Sequence, residues 1–126
     1  MAKKNRKKTT KSRSSISKQK PLNAEFQQYF DQALANDQGG NARQAKQLYE
    51  QVLASFPKHA ESNFLLGELL FKHGMAAQAY PLLKRAFELV PTNLEYAHTY
   101  GDRLLHGGNA MEAETVFKHT TAIAPR

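Results

Sequence analysis

The sequence predicts an all-α fold, a short α-solenoid of helix-turn-helix pairs, and three observations predict it. First, apolar or small residues recur at helical spacing in short segments: Asn63, Leu66, Gly67 and Leu70 share one side of a helix, and Ala79, Leu83, Ala86 and Phe87 share one side of the next. Second, Gly74 falls between the two segments, where a helix C-terminus wants a residue free to take positive φ, and Pro91 forces the chain out of helix after the second. Third, the pattern repeats without a gap: Gly40, Gly74 and Gly108 are 34 residues apart, as are Ala45, Ala79 and Ala113, and Pro57, Pro91 and Pro125. A helix pair this short cannot bury both of its stripes alone, so the copies are expected to stack and bury them against one another.

Taken in order, the chain opens with a basic run. Residues 1 to 20 hold nine of the 18 Lys and Arg and no acid, which leaves nine basic against eleven acidic residues in the rest, although the whole chain is +7. With only Ala2 and Ile16 as aliphatic residues after the start, the segment 1–21 is expected to be a disordered tail. It has no apolar core of a signal peptide, and Ala2 excludes N-myristoylation, so a cytoplasmic location is expected. Lys3, Lys4, Arg6, Lys7, Lys8, Lys11 and Arg13 would attract phosphates of nucleic acid, ribosome or anionic lipid, or simply keep the chain soluble.

Beyond Pro21, Asn23 suits the N-cap of a helix running to Gln38, with Tyr29 and Ala33 on its inner stripe and Gln32 and Asn36 left polar, as befits an end helix. Gly39 and Gly40 make the turn, and Ala42 to Phe56 form the partner, with Ala45, Leu48, Tyr49, Val52 and Leu53 inward. In the middle pair Gly67, Ala79 and Ala86 are small enough to let two helices lie close, with Leu66 and Leu83 filling the sides. Pro81 lies early in its helix and is expected to bend or tighten the first turns. The third pair keeps Tyr100, Gly101, Leu104, Ala113 and Phe117. No capping helix follows, so the face near Tyr96, Tyr100, Leu104 and Val116 is expected to lie open and to self-associate or take a further helix.

This period, with a small residue at its eighth position, Gly at the fifteenth, Ala at the twentieth, a large apolar residue (Tyr49, Leu83, Phe117) at the twenty-fourth and Pro at the thirty-second, resembles the tetratricopeptide repeat. The resemblance covers residues 26–126 as repeats 26–59, 60–93 and 94–126, within a repeat domain expected to span 22–126. It implies that the first helix of each copy lines a concave surface through its second, fifth, ninth and twelfth positions. These are Gln27, Phe30, Leu34 and Asp37; Glu61, Phe64, Glu68 and Phe71; and Glu95, His98, Asp102 and Leu105. The groove so built is acidic and aromatic, with Phe30, Phe64 and Phe71 as outward anchors, and suits a basic or amphipathic peptide or helix of a partner protein.

Two specialisations of the family are absent. Relatives that grip acidic chaperone tails place a basic and Asn clamp at the fifth, sixth and ninth positions, held here by Phe30, Asp31 and Leu34, by Phe64, Leu65 and Glu68, and by His98, Thr99 and Asp102. Repeat arms of O-GlcNAc-type transferases carry Asn at the sixth position, where this chain has Asp31, Leu65 and Thr99.

No nucleotide loop, nucleophile elbow or zinc helix is present, and the chain has no cysteine, which excludes disulfides and thiol chemistry. His98, Asp102 and His106 stand one above another on a helix, but ~12 Å from first to last is too far for all three to hold one ion from a straight helix. No metal, no cofactor and no enzymatic activity are expected. The expectation is an interaction module. The alternatives are the repeat arm of a larger transferase and a nucleic-acid or ribosome-associated factor acting through the tail.

Overall fold

The computed structural model describes residues 21–123, so the basic tail and its lysines lie outside the described residues. Among the described residues six helices follow one another: α1 (Ala24–Gln38), α2 (Ala42–Ser55), α3 (Ala60–Lys72), α4 (Ala76–Leu89), α5 (Leu94–His106) and α6 (Ala110–Ile123). Each packs on the next in the chain, giving three pairs in sequence.

Local chemistry sets the boundaries. The odd-numbered helices are capped at their N-termini by side chains: Asn23 Oδ1 accepts from the Phe26 amide at 3.0 Å, His59 Nδ1 from the Ser62 amide at 3.3 Å, and Asn93 Oδ1 from the Tyr96 amide at 3.0 Å. Each pair turns on a glycine in the left-handed region, with φ of 85° at Gly40, 82° at Gly74 and 84° at Gly108. α4 runs on through Pro81; the carbonyl it leaves unpaired, on Ala77, belongs to an exposed residue and can be met by water.

Within a pair, small residues meet large ones. A Cβ added to Gly67 would lie 2.8 Å from Leu83 Cγ, and one added to Gly101 would lie 2.7 Å from Phe117 Cε1. Ala33, Ala45, Ala79, Ala86 and Ala113 are fully enclosed. Asn63, expected on the apolar stripe, is also enclosed, and its amide donates to the carbonyls of Pro57 (3.1 Å) and His59 (3.0 Å), pinning the link between the first and second pairs.

Two expectations change. Tyr29 packs against the core but stays half-buried, its hydroxyl donating to Glu25 at 3.1 Å, and its neighbour Phe30 is the more deeply buried of the two. Tyr96, Tyr100, Leu104 and Val116 are buried, because α6 covers the inner side of α5 and Phe64 stacks on Tyr96 at 4.7 Å. The large apolar residues exposed at that end are Leu94, Leu105 and Met111.

The core divides within the middle pair. Phe30, Ala33, Tyr49 and Val52 pack with Leu66, Leu69, Leu70 and Ala79, whereas Phe64, Leu83 and Ala86 pack with Tyr96, Tyr100, Leu104 and Val116. Leu65, half-buried, touches both groups.

Candidate functional site

The odd-numbered helices lie side by side, as their cross-contacts show: the Phe30 ring meets His59 edge-on at 5.1 Å, Phe64 stacks on Tyr96, and Phe71 meets His106 at 6.4 Å. The row of side chains that these helices present together, the inner face of the array, is the candidate binding face, and the predicted residues do not all stand on it.

Phe30 and Phe64 are corrections. They are only 5% and 6% exposed, because the fifth position of one copy lies against the start of the next odd-numbered helix and seals the junction there. His98 is the third residue at this position, and with no further copy beside it among the described residues it is exposed, its ring 5.6 Å from Phe117. The apolar surface remaining on the row is Leu34 and Phe71, both half-buried, and Leu105, 52% exposed.

The acidic side chains also divide. Asp37 accepts a hydrogen bond from the Tyr49 hydroxyl at 3.0 Å, and burial, reinforced by that carboxylate, pushes the Tyr49 phenol well above its ordinary range. Glu68 takes both arms of Arg103, at 2.9 and 3.0 Å, and Arg103 also reaches Asp102 at 3.2 Å while lying over the Phe71 ring at 4.7 Å. Its hydrogen bond to Glu68 raises the guanidinium pKa further. Sequence reasoning missed Arg103. The signal was available, since Glu68 and Arg103 hold the ninth and tenth positions of adjacent copies and so face each other once the copies stack.

Glu61 and Glu95, both at the second position, are exposed and make no ion pair among the described residues. The face is therefore less acidic than its composition, with free carboxylates at one end and an arginine-bridged cluster beside Phe71. His98, Asp102 and His106 do not converge: His106 Nδ1 is 4.0 Å from the Asp102 carboxylate, and no three potential ligands come together among the described residues. No described helix is long and apolar enough to cross a membrane.

A family model described as anaphase-promoting complex, cyclosome, subunit 3 matches residues 38–120. No curated protein matches in sequence. Among solved structures, a crystal structure of MamA is similar with a TM-score of 0.74 at 17% identity, over 79% of this chain and 58% of that one. The Yersinia enterocolitica type III secretion chaperone SycD, solved in complex with a peptide of the translocator YopD, gives 0.72 at 15% identity, over 81% of this chain and 78% of that one. An O-GlcNAc transferase mutant of Thermobaculum terrenum gives 0.71 at 25% identity, over 81% of this chain and 20% of that one. The chain thus spans little more than half of MamA and a small part of the transferase, and these likenesses are likenesses of fold.

Proposed function

The chain belongs to the tetratricopeptide-type repeat family described as anaphase-promoting complex, cyclosome, subunit 3, and from that premise we propose that it is a non-catalytic module holding a basic, amphipathic peptide or helix of a partner protein. The observation that carries this reading is the row on α1, α3 and α5, where Leu34, Phe71 and Leu105 offer apolar surface while the exposed carboxylates of Glu61 and Glu95, without an ion pair among the described residues, stand toward the other end of the same helices. Apolar contacts there would supply affinity and the carboxylates would choose charge and orientation. The SycD complex, in which a similarly folded chain holds a peptide, supports the same use of the fold.

A repeat arm of a larger transferase has the Thermobaculum likeness in its favour, but Asp31, Leu65 and Thr99 stand where such arms carry Asn.

Titration of the full chain with a basic amphipathic test peptide tests the proposal. Glu61→Lys with Glu95→Lys is expected to weaken binding by about tenfold or more at low salt, with little change in the melting temperature because both side chains are exposed. Unchanged affinity in that variant would remove the inner face from consideration.

A further inference from the structure

On the turn side of the molecule, between the first and second pairs, lies an open cleft of about 410 Å³. Leu69, Leu70 and Met75 form its apolar part, and Arg43, Lys46 and His73 stand around it. It is separate from the inner row of carboxylates.

The molecule shows what such a cleft accepts. One copy further on, the residue equivalent to Lys46 is Tyr80, and the equivalents of Leu69, Leu70 and His73 are Arg103, Leu104 and Gly107. There the Tyr80 ring fills the junction: its hydroxyl donates to the Arg103 carbonyl at 3.1 Å and the ring lies 6.2 Å from Phe71. At the first junction the corresponding residue is Lys46, which carries no ring and pairs with Glu50 at 3.0 Å. Arg43 makes no ion pair among the described residues.

Gly107 refines the comparison. A Cβ placed there would collide with the Tyr80 hydroxyl but would stay 3.1 Å from Cζ, the ring carbon that carries it. The first junction has that Cβ, on His73. A phenyl ring set as Tyr80 is set therefore needs only a small adjustment, whereas a phenol meets His73 directly.

We infer that the cleft between the first and second pairs is a docking site for a phenylalanine side chain carried on an acidic segment of a partner protein. Arg43 and His73 receive the flanking carboxylates and Leu69 and Leu70 take the ring. The chain's own residues 1 to 20 do not fit this site, having neither an acid nor an aromatic ring.

The test uses the full chain, isotope-labelled, titrated with three acetylated and amidated pentapeptides: Glu-Glu-Phe-Glu-Glu and its Tyr and Ala counterparts. All three carry the same charge, so attraction to the basic tail is common to them and only the differences are read. The Phe peptide is expected to bind about tenfold tighter than the Ala peptide, from burial of the ring, and more tightly than the Tyr peptide, with shifts at Arg43, Leu70 and His73. Lys46→Tyr combined with His73→Gly rebuilds the second junction at the first and is expected to abolish the preference for Phe. Arg43→Glu, at an exposed position, is expected to weaken the Phe peptide by about tenfold while leaving basic-peptide binding at the inner face unchanged. Equal affinities for the Phe and Ala peptides, or a Phe preference that survives in a folded double variant, would overturn the inference. So would dimerisation in sedimentation that the double variant abolishes, which would give the cleft to a second copy of the chain.

Discussion

At the scale of single residues, His59 couples folding to protons. Its Nδ1 caps α3 by accepting from the Ser62 amide and lies 2.7 Å from the Ser62 hydroxyl, with the Phe30 ring against its edge. Burial lowers its pKa below 6.5. A folded value below the unfolded one means that the unfolded chain binds the proton more readily, so this contribution to stability is complete above the unfolded pKa and is lost as pH falls through it toward the folded value. Urea midpoints are expected to drop between roughly pH 7 and pH 5, and less so in His59→Asn, which can still cap but does not titrate. Parallel pH curves for the two proteins would count against this. Two glycines serve different ends. Gly67→Ala pushes a methyl into Leu83 and is expected to cost ~1–3 kcal/mol. Gly74→Ala meets no atom within 4 Å, so its cost, ~1–2 kcal/mol, comes from the backbone alone. Leu83→Ala opens a cavity of its own at this buried position, so in a double-mutant cycle Gly67→Ala should cost less in a Leu83→Ala background than alone, whereas Gly74→Ala should cost the same in both.

At the scale of elements, the Glu68–Arg103 pair joins α3 to α5 and holds Arg103 over Phe71. Both side chains are about a quarter exposed, so the pair is screened, and Glu68→Gln is expected to cost no more than ~1 kcal/mol in denaturant melts. Its larger effect is on binding: freed of its partner, Arg103 adds positive charge to the inner face, and a basic peptide should bind more weakly in Glu68→Gln than in the Glu68→Gln, Arg103→Gln double variant. Equal affinities would mean that Arg103 does not face the peptide. Much at this scale was legible from local rules. Asn23 marked the start of α1, Gly40, Gly74 and Gly108 marked the turns, and Ala42 marked α2, because caps and left-handed glycines depend on nearest neighbours. Phe30 and Phe64 were misplaced because their burial depends on the adjacent copy, whose distance and tilt no local pattern encodes. Arg103 is a different case: its place opposite Glu68 follows from the register of adjacent copies, which the repeat spacing already gives.

At the scale of the whole molecule, the boundary in the core does not follow the boundary in the sequence. The period marks three equal units, yet the apolar groups number two among the described residues, and each takes part of α3 and part of α4: Leu66, Leu70 and Ala79 on one side, Phe64, Leu83 and Ala86 on the other. The middle pair has no core of its own. Removing residues 60–93 as a block, which the period invites, should therefore leave two pairs that do not fold together, and far-ultraviolet dichroism of that deletion is expected to show loss of most helix rather than a third of it. The same arrangement governs how the chain responds to being stretched. Tension applied at Pro21 and Ile123 reaches α3 and α4 from both sides at once, and neither group can be opened without dragging shared helices out of the other. Held in an optical trap, the molecule should extend in one abrupt rip, where three autonomous units would give way in three.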